Sequence, residues 1–210
     1  MVMAERPNLR DRRRQETRID ISWAAIRLAV EHGLPNVTTE DIAREAGVSP
    51  RTVNNYFSSK AEAIVARHQD RVHGIADHVR ARPAGEPLWT TLRQASLAQF
   101  DSRGEPESAP EPGWTEGVRL MLAEPSLTGE FLKANAAAEE MLAEAIAERL
   151  GTTPGDLTVV LISTITGGVL RAAMLRWLNT SPAVPMSTVL NEAFDALGDV
   201  LPDPARRSDA

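Results

Sequence analysis

Apolar residues recur along this chain at three- and four-residue intervals, broken by short clusters of Gly, Pro, Ser and Asp, and residues that favour strands are scarce. That pattern predicts helix nearly throughout. Ile21, Ala24, Ala25, Leu28 and Ala29 share one face and predict a first helix over about 12–32, stopped by Gly33, Leu34 and Pro35. Two short helices follow within 38–57. A fourth starts after Ser58 and Ser59, with Ala61, Ile64, Val65 and His68 on one side, and reaches about Arg80. The run Arg82-Pro83-Ala84-Gly85-Glu86-Pro87 reads as a linker between a small N-terminal unit and a larger C-terminal one. Beyond it, helices are expected over 88–100, 114–123, 126–150, 156–178 and 186–201. Residues 101–113, rich in Pro, Gly, Ser and Glu, read as a mobile loop, and 1–11 and 202–210 as disordered tails. No internal repeat or heptad run is found.

The stretch 156–178 departs from the ordinary one-sided pattern. Val159, Val160, Leu161, Ile162, Ile165, Val169, Leu170, Met174, Leu175 and Trp177 cover it nearly all round, so it must be buried on more than one side. A small helical domain offers one buried face, and the second must come from a partner subunit or a ligand cavity. Val189, Leu190, Ala193, Phe194 and Leu197 form another apolar stripe on the last helix. Two such helices per subunit can pair across a two-fold axis as a four-helix bundle, which predicts a homodimer through the last two helices. The apolar run 157–170 is read as too short to span a bilayer, and it meets Arg171, so no membrane partner is expected.

The most specific pattern lies at 37–60, Val-Thr-Thr-Glu-Asp-Ile-Ala-Arg-Glu-Ala-Gly-Val-Ser-Pro-Arg-Thr-Val-Asn-Asn-Tyr-Phe-Ser-Ser-Lys. Thr38 can cap a short helix, with Asp41 three residues on as a capping-box partner. Gly47 supplies the positive φ that ends this helix, and Val48 plugs the corner. Ser49 caps the next helix and Pro50 takes its first turn, where a missing N–H costs nothing. Val53 and Phe57, four apart, hold that helix inward. Arg51, Thr52, Asn54 and Asn55 are left facing elsewhere, and their side chains suit base edges and phosphates. The arrangement is a helix-turn-helix that sets its second helix in the major groove of DNA.

Composition sharpens this picture. The 210 residues carry a formal net charge of −6, unusual for a nucleic-acid binder until it is divided. Residues 1–60 hold ten Lys and Arg against eight Asp and Glu, and the rest thirteen against twenty-one. The basic excess, led by Arg10, Arg12, Arg13, Arg14 and Arg18, therefore sits with the helix-turn-helix, and an acidic body orients that end toward DNA. With no Cys, disulfides, zinc-thiolate sites and a Cys nucleophile are excluded. The N-terminus lacks the apolar core of a secretory signal, so a cytoplasmic location is expected. Catalytic patterns fail as well. His68, His73 and His78 share one helix, but steps of five turn each about 140° around its axis, so they cannot converge on a metal. Glu139 and Glu140 are adjacent and do not face one another. No catalytic residue, metal ligand or cofactor is expected.

The block from about Thr17 to Val65 resembles the DNA-binding domain of the TetR family of bacterial regulators. That resemblance implies an all-α fold with a three-helix DNA-binding domain, here residues 12–60, and a larger helical ligand-binding and dimerisation domain, residues 61–201. It further implies that Thr39, Tyr56 and Lys60 stand where members of the family contact phosphates. Arg44 is a looser backbone candidate, and Arg51, Thr52, Asn54 and Asn55 occupy the recognition positions. Phosphate contacts set register, and Arg51 and Asn55 would supply sequence choice. A homodimer is expected to hold a double-stranded operator as a repressor until a small hydrophobic molecule enters the second domain. The candidates for that ligand are Trp89, Phe100, Trp114, Met121, Phe131, Met174 and Trp177, although such residues are more often plain core. Arg93, Arg119 and Arg171 could meet a carboxylate or phosphate. The run Gly117-Val-Arg-Leu-Met-Leu-Ala-Glu-Pro-Ser-Leu faintly resembles members that sense acyl-CoA-like thioesters. The rival reading is a helix-turn-helix used for protein docking on a ligand-carrying helical body. Its polar recognition face argues against that, since docking surfaces show Leu or aromatic anchors.

Overall fold

The computed structural model describes residues 9–101, 112–180 and 184–201, and only the backbone of Asp11, Phe100, Asp101, Pro112, Gly113 and Trp114. Residues 1–8 and 202–210 of the expected tails, and 102–111 of the expected loop, lie outside the described residues. The described chain is all-α: α1 (Leu9–His32), a 3-10 turn (Leu34–Asn36), α2 (Thr39–Glu45), α3 (Pro50–Tyr56), α4 (Lys60–Ala81), α5 (Leu88–Asp101), α6 (Pro112–Ala123), α7 (Pro125–Leu150), α8 (Leu157–Leu178) and α9 (Met186–Val200). Helix α1 begins at Leu9 rather than near Arg12, because no breaker separates these strong helix formers.

Two compact units result. The first comprises the chain up to Arg67 together with Glu116–Glu130, the second His68–Thr115 and the chain from Phe131 onward. In the first, Ile21, Ala24, Ala25 and Ile26 of α1 are buried together with Ile42, Val53, Phe57 and Ile64 from the next three helices. Ser22, fully buried, donates to the Ala63 carbonyl at 2.7 Å and ties α1 to α4. Helix α6 approaches α1 so closely that a Cβ on Gly117 would stand 2.7 Å from Ile26 Cγ2, a gap only glycine leaves open.

The second unit is built on α5, α7, α8 and α9, with Leu88, Leu92, Ile146, Val159, Ile162 and Leu190 in its core. Arg80 of α4 reaches Glu148 of α7 at 3.0 Å, and Arg93 of α5 donates to Asn191 and Asp195 of α9. The segment Arg82–Pro87 is not a linker between units, since the helices on both sides of it here belong to the second. It is a tight turn in which Arg82 pairs with Glu86, and Arg149 donates to the carbonyls of Arg82, Pro83 and Glu86. Sequence shows Pro and Gly there but not the arginine that satisfies the turn's carbonyls.

Helix α8 is capped by Asp156, which accepts from Thr158 N–H at 2.8 Å. It continues beyond the run read as too short for a bilayer. With 22 residues and a mean hydropathy of 1.7 it is long and apolar enough to cross a membrane by length and composition. The inward face packs in protein through Val159, Ile162, Thr166, Ala173 and Trp177. Outward, Leu157 is 71% exposed, Leu161 51% and Leu175 40%.

Candidate nucleic-acid interface

The corner between α2 and α3 is fixed by its own sequence. Thr38 caps α2 by accepting from Asp41 N–H at 3.1 Å, and the Asp41 carboxylate accepts from Thr38 N–H at 3.1 Å, a complete capping box. The Thr38 hydroxyl, the Thr38 amide and then Arg44 hold the Asp41 carboxyl below its ordinary pKa. At the other end Gly47 has φ +67°, Gly47 N–H reaches Arg44 O at 3.3 Å and Val48 N–H reaches Ala43 O at 2.9 Å. This pair of bonds is the Schellman closure, which satisfies carbonyls the helix end would leave open. Ser49 then caps α3, accepting from Thr52 N–H at 3.0 Å, with Pro50 at the first position.

The faces of α3 are sorted by depth. Val53 and the capping Phe57 are 4% and 3% exposed, while Arg51, Asn54 and Asn55 are exposed. Thr52, half-buried, lies 2.8 Å from the Ser49 hydroxyl, so its oxygen is engaged at the cap. Tyr56 is half-buried with its ring 6.4 Å from that of Phe57, and the Arg14 guanidinium lies 6.0 Å from the Tyr56 ring centroid. Thr39 is half-buried at the start of α2, and Arg44 stands exposed beside Asp41. Lys60 opens α4 half-buried, donating from Nζ to Leu34 O at 2.7 Å and Val37 O at 2.9 Å. Its ammonium thus closes the turn before α2, a task sequence could not reveal because the acceptors are backbone oxygens more than twenty residues away.

Most of the ligand-side candidates fall in the second unit. Trp89 and Met174 are half-buried, Trp177 is 6% exposed with Nε1 donating to Val184 O at 3.0 Å, and Phe131 stacks on His68 at 4.5 Å. Met121 is 2% exposed but belongs to the first unit, and the side chains of Phe100 and Trp114 lie outside the described residues. Arg93 is engaged with α9, Arg119 with Glu116, and Arg171 stands exposed on α8.

Sequence reasoning missed a set of buried polar groups. Arg67, Arg71, Ser96 and Gln99 are all buried, and their residue types gave no signal of depth. His68 bonds Asn135 at 3.0 Å, and burial pushes its pKa down to about 4. Among the described residues no group of His, Asp or Glu could hold a metal ion.

Residues 21–66 match a family model described as bacterial regulatory proteins, tetR family, and residues 86–202 one described as the MftR C-terminal domain. The chain is 31% identical over 191 residues, covering 89% of it and 92% of the relative, to MftR of Mycobacterium tuberculosis, a transcriptional regulator assigned to mycofactocin biosynthesis. It is 29% identical over 153 residues, 71% of it and 75% of the relative, to the helix-turn-helix transcriptional repressor LfrR of Mycolicibacterium smegmatis. Its fold is shared with the regulator FadR of Bacillus subtilis, solved in complex with stearoyl-CoA, with a TM-score of 0.57, 15% identity, and coverage of 85% of this chain and 96% of that one.

Proposed function

The chain belongs to the TetR family of bacterial transcriptional regulators, and from that membership we propose that it is a homodimeric repressor holding a two-fold operator until a hydrophobic small molecule enters each second unit. The observation that carries the reading is the exposed Arg51, Asn54 and Asn55 on a helix locked by its cap, its Schellman turn and buried Val53 and Phe57. Arg51 is suited to the guanine edge and Asn54 or Asn55 to adenine. Thr39, Arg44, Tyr56 and Lys60 set register on phosphates, with Thr52 assisting from the cap. Lys60 has a third N–H beyond the two that close the turn, and this is the one aimed at a phosphate.

On the ligand side, Trp89, Phe131, Met174 and Trp177 of the second unit supply the apolar lining. An acyl-CoA-like ligand is favoured by the acyl-CoA bound in the FadR fold neighbour. The homodimer rests on the outward face of α8, where Leu157, Leu161 and Leu175 are exposed among the described residues. The protein works in the cytoplasm and catalyses no reaction.

Selection of a random duplex library at near-physiological salt tests the reading. Recovery of an inverted repeat, with its sequence preference relaxed by Arg51→Ala and its salt slope reduced by Tyr56→Ala, is expected. Unbiased recovery would sink the operator-reading function.

A further inference from the structure

Helix α5 carries a buried apolar row, Leu88, Leu92 and Ala95, whose steps of four and three next reach Gln99. Gln99 is as deep as the row it ends, only 2% exposed. Two other polar side chains of α5 are buried, and both are satisfied. Thr91 donates to the Glu86 carboxylate at 2.9 Å, and Ser96 donates to Leu92 O at 2.7 Å. Gln99 Nε2, by contrast, has no hydrogen-bond partner among the described residues. A buried amide left in that state costs stability that a leucine in the same row would not.

The facing helix makes room for this amide. A Cβ on Gly74 of α4 would stand 2.5 Å from Gln99 Oε1 and 2.8 Å from Nε2, so the amide fills the space a side chain at 74 would need. His73 Nε2 is a second buried atom without a partner among the described residues, but its residue stands about 100° round α4 from Gly74. Six residues back along α4, about 9 Å, His68 stacks on Phe131. Asn135 Nδ2 donates to Phe131 O at 2.8 Å, which turns Asn135 Oδ1 toward His68 Nε2 at 3.0 Å. An amide oxygen only accepts, so His68 Nε2–H is already used. Arg71, three residues from both His68 and Gly74, sets a buried guanidinium between them. All of these residues belong to the second unit.

We propose that Gln99 Nε2 donates to the carbonyl oxygen of an acyl ligand, whose apolar chain runs along α4 toward Phe131. An amide nitrogen can only donate, so it selects a group that accepts and carries no proton, such as a thioester or carboxylate oxygen. One polar atom placed among apolar walls fixes the orientation of a hydrophobic ligand. The positive charge of Arg71, one turn from Gly74, favours the same oxygen. The ligand-free chain bears the cost of the unpartnered amide, and the bound carbonyl removes it.

This inference rests on the acyl-ligand reading, and the test separates the two. The full chain is titrated calorimetrically with lauroyl-CoA, with S-dodecyl-CoA, in which a methylene replaces the carbonyl, and with lauric acid. The wild type is expected to bind lauroyl-CoA or lauric acid about tenfold more tightly than the thioether. Whichever of the two shows the preference tells thioester from free acid. Gln99→Leu should invert the order, because the carbonyl then enters an apolar wall unpaired. Gly74→Ala keeps the glutamine but displaces its amide, and should erase the preference. Gln99→Leu is also expected to raise the melting temperature of the ligand-free chain by about 2–4 °C, a gain that a damaged fold cannot imitate. Acyl binding with the same preference in both variants, or with none in the wild type, would overturn the Gln99 seat and leave the acyl ligand standing. A wild type that binds none of the three probes would overturn both.

Discussion

Helices α3 and α8 answer opposite questions about how a sequence determines its surroundings. Around α3, the cap and the turn are closed within a few residues: Ser49 takes Thr52 N–H, Val48 N–H takes Ala43 O, and Gly47 supplies the one backbone conformation the turn demands. Its apolar residues are few, and both Val53 and Phe57 are buried. Helix α8 is apolar nearly all round, yet among the described residues only one side of it is covered. A short polar helix can therefore be fully specified by its neighbours in sequence. A long apolar one is not.

The contrast can be broken most severely at Phe57. Phe57→Ala removes a side chain only 3% exposed from the base of the corner and should cost about 3–5 kcal/mol of stability, read by denaturant titration of the full chain. A loss under ~1 kcal/mol would mean the corner does not depend on its core.

Acid should separate the two regions next. His68 in the second unit has its pKa lowered to about 4 from 6.5, so the unfolded chain binds the extra proton first as pH falls. Stability that is full above pH 6.5 is then lost progressively down to about pH 4, by up to roughly 3 kcal/mol. Asp41 at the corner has its carboxyl lowered below 3.8, so its contribution is retained above that value and lost only as pH falls below it. Hydrogen exchange between pH 6.5 and 4.5 should therefore loosen α7 amides before those of α2. Parallel loosening would contradict the His68 assignment, as would a His68→Gln chain with an unchanged pH profile.

A smaller effect is expected at Gly47. Gly47→Val forces a side chain into φ +67° and should cost about 1–2 kcal/mol, with operator affinity falling alongside. The smallest effect sharpens the other side of the comparison. Leu161→Gln, on the uncovered face of α8, should change monomer stability by no more than ~0.5 kcal/mol while weakening self-association. A monomer destabilised by several times that amount would show that the face is covered from within.

The same contrast explains what could be read from sequence. The capping box, the Schellman turn, the order of the helices and the apolar excess of α8 were all legible, because each depends on residues a few positions apart. What was not legible depends on distant backbone. Lys60 spends two of its donors on Leu34 O and Val37 O, and the Arg82–Glu86 turn is closed by Arg149. Burial of Arg67, Arg71 and Gln99 was hidden for a related reason, since residue type alone places arginine and glutamine at the surface. At the α2–α3 corner the exposure of Arg51, Asn54 and Asn55 and the burial of Val53 and Phe57 followed from their spacing. On the ligand side, Met121 fell in a different unit from Trp89, Phe131, Met174 and Trp177, because periodicity says which face is apolar but not which core it enters.

The tie from Arg149 to Arg82, Pro83 and Glu86 spans more than sixty positions, and that from Arg93 to Asp195 more than a hundred. Contacts of such reach must wait for a long loop to close, whereas the corner is made of bonds three to five positions apart, which form on the timescale of a single helix. During synthesis the N-terminal end also leaves the ribosome first. The surface bearing Arg51, Asn54 and Asn55 is therefore assembled while the residues of α8 are still waiting to be translated.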